Sequence, residues 1–483
     1  MQEYEQSHKL PVWHLAVLAT VGGLITWLIM TRSLPAALVE ISPETALVLQ
    51  PAEPRALANM AEAKLNDLLK REAEAHAADK GEDLDQGEDI GMLDRISALS
   101  KLAREATGRV VGRESNDVAN QGDALAPRQI EQPEDLAEHL VEIQRLAEKI
   151  VAIDPTNSRA LRIIGQLAEQ AGDIGKASQL LPAAARRSIR ESYAVYWQMQ
   201  KSRQDKDHAA VLRHADTLLR TRSQAVPVVV PVLTEIAEDK SASSELKALL
   251  KTNPPWRSTF FERSLASITD ARTPLELLLS MNETPFPPTA VELRGYMNFL
   301  IQRQFHELAY YTWLQFLPSG RLATATPLYN SSFEFEPSGL PFDWVIASGS
   351  GVTAQILARQ DNPQENALFV GFGQGRAEFP GVRQVVLLGP GTYALTGKYN
   401  GTIVGRRGLI WRVSCTDKKL LAESDMLSGG SLTEWRHFAL SFEVPATGCR
   451  AQDVRLELDA RSASEKLVSG AMWFDEMGIR RAP

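Results

Sequence analysis

The chain has 483 residues, a formal net charge of −8 and 23% charged side chains. That length exceeds what one hydrophobic core organises, so two or three domains are expected. An acidic balance argues against a nucleic-acid-binding surface, which needs clustered Lys and Arg, and leaves room only for a local basic patch.

Residues 1–11 read as a short tail. Val12 to Met30, "VWHLAVLATVGGLITWLIM", contains no Lys, Arg, Asp or Glu. A bilayer core needs about 20 apolar residues of helix, so a transmembrane helix is expected over 12–31. Trp13 and Trp27 lie near its ends, where indole rings favour the interface. A cleaved signal peptide is the alternative. Against it, the run is long, the preceding tail is acidic, and no A-x-A site follows. Lys9 and Arg32 flank the span almost symmetrically, so charge leaves the orientation open. The cysteines decide it. If they pair, the bulk of the chain faces an oxidising space such as the bacterial periplasm. The expectation is a single-pass inner-membrane protein with a short cytoplasmic tail.

Two stretches repeat each other. "QPAEPRALANMAEAKL" begins at Gln50 and "DPTNSRALRIIGQLAEQ" at Asp154. In the second copy Leu161, Ile164, Gly165 and Ala168 share a helical face. Ala177, Leu181 and Ala184 follow after a turn at Gly172-Asp173. Leu136, Leu140, Ile143, Ala147 and Ile150 form a stripe ahead of them. This order of residues resembles the tetratricopeptide repeat, a helix–turn–helix unit. The resemblance runs over about Glu134 to Arg187 and, more loosely, Ser42 to Leu69. It departs from the family at Ile189, where a closing proline is expected. Leu161, Gly165, Ala168, Ala177, Leu181 and Ala184 are the implied packing positions.

Later helical segments extend an irregular solenoid over 42–318. Such stacks present concave faces for protein partners, though a spacer is the alternative. An acidic, turn-rich insert at about 72–132 should be mobile. Its "DLDQGED" lacks the full ligand set of a calcium loop and reads as solvated.

Residues 319–329 read as a linker. Beyond it the periodicity changes from 3.6 to 2. Leu409, Trp411, Val413 and Cys415 point one way. Phe438, Leu440, Phe442 and Val444 alternate likewise, as do Val454, Leu456 and Leu458. Short alternating strands between Gly, Pro and Asn turns predict an antiparallel β-sandwich over 330–483. "NSSFE", "LPFDW", "GPGTYALTGKY", "GLIWRVSC" and "MWFDEMGI", in that order, resemble the galactose-binding-like jelly roll that includes many carbohydrate-binding modules. The fold class is therefore multidomain, α then β.

The resemblance implies a structural calcium at Glu334 and Asp475, with hydrogen bonding alone as the alternative. A Cys415–Cys449 bridge would close a loop of about 35 residues, worth roughly 3–4 kcal/mol in the chain-entropy model. Two free buried cysteines are the alternative. Glycan sites pair an aromatic platform with polar side chains that match hydroxyls. Tyr399, Asn400 and the outward Arg412 are candidates, and Trp344 is a fourth. Trp411 and Trp473 read as inward core, and Trp435 as a packing residue at a strand start.

There is no G-x-x-x-x-G-K-[ST] and no H-E-x-x-H. "ASGSG" is not the G-x-S-x-G elbow. The expectation is a non-catalytic periplasmic scaffold or binding protein without a required cofactor, accessory to surface-polysaccharide assembly or export. In that reading the solenoid docks a protein partner and the jelly roll binds glycan or braces the complex. A general envelope scaffold and a polysaccharide hydrolase are the alternatives.

Overall fold

A computed structural model describes residues 12–80, 133–322, 326–429 and 434–482. The expected tail, most of the acidic insert and part of the linker lie outside them. The chain forms two compact units, Met1–Leu233 and Thr234–Pro483.

The first unit is helical. It begins with α1 (Val12–Leu28), a π turn (Ile29–Ser33) and α2 (Leu34–Leu38). Within this run Thr20–Leu38 is long and apolar enough to cross a membrane, and none of it is buried in the protein. A single anchor and a signal sequence both fit it. Thr26 and Thr31 donate their hydroxyls to the carbonyls of Gly22 and Trp27 at 2.8 and 2.6 Å, which hides polar groups within the helix. After α3 (Pro43–Leu49) comes α4 (Pro54–Lys80). Helix α4 takes in the first residues expected in the insert. Their run "REAEAHAADK" is rich in good helix formers.

Helices α5 (Pro133–Ile153), α6 (Ser158–Gln170) and α7 (Ile174–Arg187) follow. Asn157 caps α6 by accepting from the Ala160 amide at 3.1 Å, and Asp173 caps α7 through Lys176 N at 2.9 Å. Gly172 takes φ +80° in the turn between them, a conformation that suits glycine. Leu161, Ala168, Ala177, Leu181 and Ala184 are all buried. A Cβ on Gly165 would sit 2.8 Å from Leu181 Cγ, so only glycine lets α6 and α7 pack this closely. Helices α8 (Ser192–Gln204) and α9 (His208–Thr221) make another packed pair without the closing proline.

Helix α10 (Val226–Glu238) carries the boundary between the units. The second unit continues with α11 (Ser243–Leu250), α12 (Arg257–Ser264), α13 (Thr273–Met281), α14 (Ala290–Gln302), α15 (His306–Gln315) and the short α16 (Ser319–Leu322). The change from helix to strand near Pro318 is thus a change of secondary structure inside one compact unit. A buried ion pair holds its helices. Arg257 Nε donates to Glu292 Oε1 at 2.9 Å, and its other nitrogens donate to the carbonyls of Phe286 and Pro287 at 3.0 and 3.2 Å. Glu292 also completes a capping box with Thr289.

Among the described residues ten strands follow, in two five-stranded sheets. β1 (Val345–Ile346), β4 (Val382–Val386), β6 (Leu409–Cys415), β7 (Leu420–Glu423) and β9 (Gln452–Leu458) pair in the order β1-β4-β9-β6-β7. β2 (Val352–Ala358), β3 (Asn366–Phe372), β5 (Gly391–Gly405), β8 (Arg436–Val444) and β10 (Val468–Arg481) pair in the order β2-β3-β10-β5-β8. The named pairs within both sheets are antiparallel. One hydrophobic core lies between them, as the alternation predicts.

The stretch that opens the sandwich is not a strand. Leu328 to Trp344 form an irregular strap laid on β4. Gln384 holds it by pairing with both backbone groups of Tyr329, at 2.8 and 2.9 Å. Asn330 closes its own turn through the Phe335 backbone. Trp313 of α15 packs on Tyr329 and Phe342, with centroids 5.0 and 5.9 Å apart, so helices and strap share an aromatic contact. Cys415 and Cys449 are bonded.

Removing either half of the buried ion pair leaves an uncompensated charge. Glu292→Ala should cost about 3–5 kcal/mol of stability in denaturant unfolding of the full chain. Cys415→Ser should cost about 4 kcal/mol by the chain-entropy model for a separation of 34 residues. Equal stability with and without reductant would rule out a stabilising bridge.

Candidate functional site

The strand period decides which side chains leave the core. On β10, Met472 and Phe474 are fully buried, so Trp473 points to the solvent side of its sheet. This corrects the inward placement of Trp473. On β3, Leu368 and Val370 are buried and Phe369 faces out beside it. Phe369 and Trp473 are directly opposite in the ladder, with ring centroids 4.9 Å apart.

The row extends across four strands. Gln355 of β2 is paired with Phe369, and Asn400 of β5 with Trp473. The next outward row is Thr353, Gly371, Ala471 and Thr402. Its side chains are small. A Cβ on Gly371 would lie 2.7 Å from Phe369 Cε1, so the ring folds down over the glycine backbone. A raised row of aromatic and amide groups therefore borders a low row bearing hydroxyls. The Asn400 Oδ1 atom is buried and has no hydrogen-bond partner among the described residues, so Asn400 borders the ring pair through its amide edge rather than through an open acceptor.

At one end of the same sheet, Arg359 gathers three carboxylates. It meets Asp361 at 2.6 Å, Glu365 at 2.7 Å and Asp475 at 3.0 Å. Its guanidinium lies 4.6 Å from the Trp435 ring centre, and Trp435 Nε1 donates to Asp361 at 2.9 Å. Trp435 is thereby held in place. Arg359 keeps the Asp361 carboxyl far below its ordinary range. Burial pushes the Asp475 carboxyl the other way, up to about 6, against the hydrogen bond from Glu476 N and the charge of Arg359.

The two residues implied for calcium sit at this end. Glu334 accepts from the Asn366 amide at 3.3 Å, and Asp475 is engaged by Arg359 and the Glu476 amide. A guanidinium thus already faces the Asp475 carboxylate where a metal would need it free. No group of three or more metal-ligating side chains occurs among the described residues. This donor set does not fit calcium; Arg359, just past β2, instead ties Asp475 of β10 to Asp361 and Glu365.

The four glycan candidates do not form one site. Trp344 is 0% exposed, stacks on Phe333 and donates to the Asn330 carbonyl at 2.9 Å. It is core, because the strap folds over it. Tyr399 packs against the core from the inner face. Arg412 lies on the other sheet, in a cross-strand row with Arg455 and Arg383. Glu423, Glu457 and Asp459 hold it, which offsets the repulsion of aligned arginines. Asn400 alone belongs to the aromatic row. Strict alternation in "AMWFDEMGI" was the signal that could have placed Trp473 there.

The first unit has a polar cavity of about 480 Å³ lined in part by Asn59, Glu62, Arg159, Arg190, Glu191 and Arg222. Arg162 bridges Glu62 and Glu191 at 2.6 and 2.8 Å, so both carboxylates are neutralised in the wall.

No family model and no curated protein matches this chain. Among solved structures, the TmCBM61 module in complex with beta-1,4-galactotriose is 16% identical, over 33% of this chain and 99% of that one, with a TM-score of 0.24. The CBM22-1 xylan-binding domain of Paenibacillus barcinonensis Xyn10C is 18% identical, over 32% and 94%, with a TM-score of 0.22. A CBM4 domain is 13% identical, over 32% and 99%, with a TM-score of 0.24. Likeness at this level leaves the ligand to be argued from geometry.

The raised Asp475 pKa has a testable consequence. The folded chain holds this proton up to about pH 6, whereas the unfolded chain loses it near 3.8. The group's contribution to stability is present below that window and is lost as pH rises through it. Relative to Asp475→Asn, the native chain should lose roughly 2–3 kcal/mol between pH 4 and pH 6.5 in denaturant titrations. Parallel pH profiles for the two proteins would show that Asp475 titrates normally.

Proposed function

We propose that this chain is a non-catalytic, membrane-tethered glycan-binding protein of the bacterial envelope. In this reading it serves as an accessory factor in assembling or exporting a surface polysaccharide. The observation that carries it is the stepped, solvent-facing surface around Phe369 and Trp473. Aromatic rings take the apolar faces of sugar rings, and amide and hydroxyl groups meet their edges. Gln355, Asn400, Thr353 and Thr402 supply those groups on either side of the ring pair. The row runs across strands spaced about 4.8 Å apart, which suits an extended chain lying over the sheet. Such a surface supports the holding of a glycan.

The disulfide supports an oxidising compartment for the sandwich. The apolar helix supports a tether at the N-terminal end.

Calorimetry of the full chain in detergent against a panel of soluble polysaccharides tests the reading. Trp473→Ala should weaken binding on the order of ten-fold, about 1.4 kcal/mol, while Arg412→Ala leaves it unchanged. Retention of no glycan, or equal binding by Trp473→Ala, removes the proposal.

A further inference from the structure

We infer that helix α3 and the turn before it rest on the lipid surface, so that the helical unit is held against the membrane rather than hung from it. The inference depends on the apolar helix being a membrane span.

One side of this segment is firmly packed. Val39 and Ala46 cluster with Ala56, and Leu47 packs beside Leu57, Ala58, Ile150 and Ala160. Asn59 Nδ2 donates to the Val39 carbonyl at 3.0 Å, and Ser42 caps the first turn through the Thr45 amide at 3.4 Å. The other side is open, and Ile41, Val48 and Leu49 stand on it with Glu44 and Thr45 between them. Ile41 is 82% exposed, Val48 81% and Leu49 42%. Single exposed apolar residues need no explanation, but three on one short, packed segment form a patch that calls for a partner.

Position in the chain names that partner. The apolar helix ends at Leu38, and three residues reach at most about 10 Å. Headgroup layers add roughly 5–8 Å beyond each side of the hydrocarbon. Ile41 therefore has no route far from the interface if Leu38 ends the span. A helix lying in that plane sets its apolar side chains into the headgroup boundary and leaves its polar ones in water. Glu44 and Thr45 share the exposed side with Val48 and so lie at headgroup level, while Ile41, Val48 and Leu49 reach toward the acyl boundary. Lys149, whose Nζ lies 3.4 Å from the Pro51 carbonyl, brings a cation to the same edge for lipid phosphates.

The chain's two cysteines are bonded to each other, so a single introduced thiol can be labelled. The full chain is placed in nanodiscs of phosphatidylglycerol and phosphatidylcholine. An environment-sensitive fluorophore sits at Val48→Cys in one sample and at Ile29→Cys, the middle of the span, in another. Val48 is exposed, so the change leaves the packing of α3 intact. Lipids brominated near the top of the acyl chain should quench the Val48 label roughly two-fold, and mid-chain bromines should quench the Ile29 label. Quenching at Ile29 with none at Val48 overturns the inference and leaves the span standing. No quenching at either position removes the span, and the inference with it.

Discussion

Trp411 is where the second unit is tied together. It is 0% exposed and touches three elements at once. Its ring centre is 6.0 Å from Trp344 of the strap, 6.2 Å from Phe438 of β8 and 5.7 Å from Phe474 of β10. Its own strand lies in the opposite sheet. The indole nitrogen has no hydrogen-bond partner among the described residues, a cost of about 1–3 kcal/mol. Burial of four large aromatic rings offsets it. With Trp411 and Phe474 directed inward, the pleat directs their neighbours outward. Arg412 and Trp473 face solvent on opposite sheets for that one reason.

The same constraint separates what the two outer faces do. One sheet shows an arginine row held by carboxylates, a surface satisfied by its own residues. The other shows paired rings flanked by uncharged amides and hydroxyls. A ligand has more to gain on the second. The end of that sheet is closed by Arg359, which draws Asp361, Glu365 and Asp475 together.

Helices and sandwich in the second unit are joined by packing. Trp313, Tyr329 and Phe342 form a continuous aromatic contact, and Gln384 locks the strap by two backbone hydrogen bonds. The buried Arg257–Glu292 pair fixes the helices behind it. In the first unit, close approach at Gly165 and capping at Asn157 and Asp173 serve the equivalent purpose with fewer large side chains.

Local rules were enough for much of this. The charge-free run after Val12, the helical stripe at Ile143, Ala147 and Ile150, the Gly172-Asp173 turn and the inward set Leu409, Trp411 and Val413 all follow from periodicity and turn chemistry, which act over a few residues. A two-cysteine chain also left one possible intramolecular bridge. What only the tertiary structure decided were contacts between residues far apart. Nothing beside Trp344 says that the rest of its own strap will fold over it, and nothing near Asp475 says that Arg359 will reach it from just past β2. The Phe369–Trp473 pair depends on which strands become neighbours, and strand order is set by how whole sheets bury their apolar faces. The functional face is therefore a product of register, and register belongs to the folded sandwich and not to any one segment of the chain.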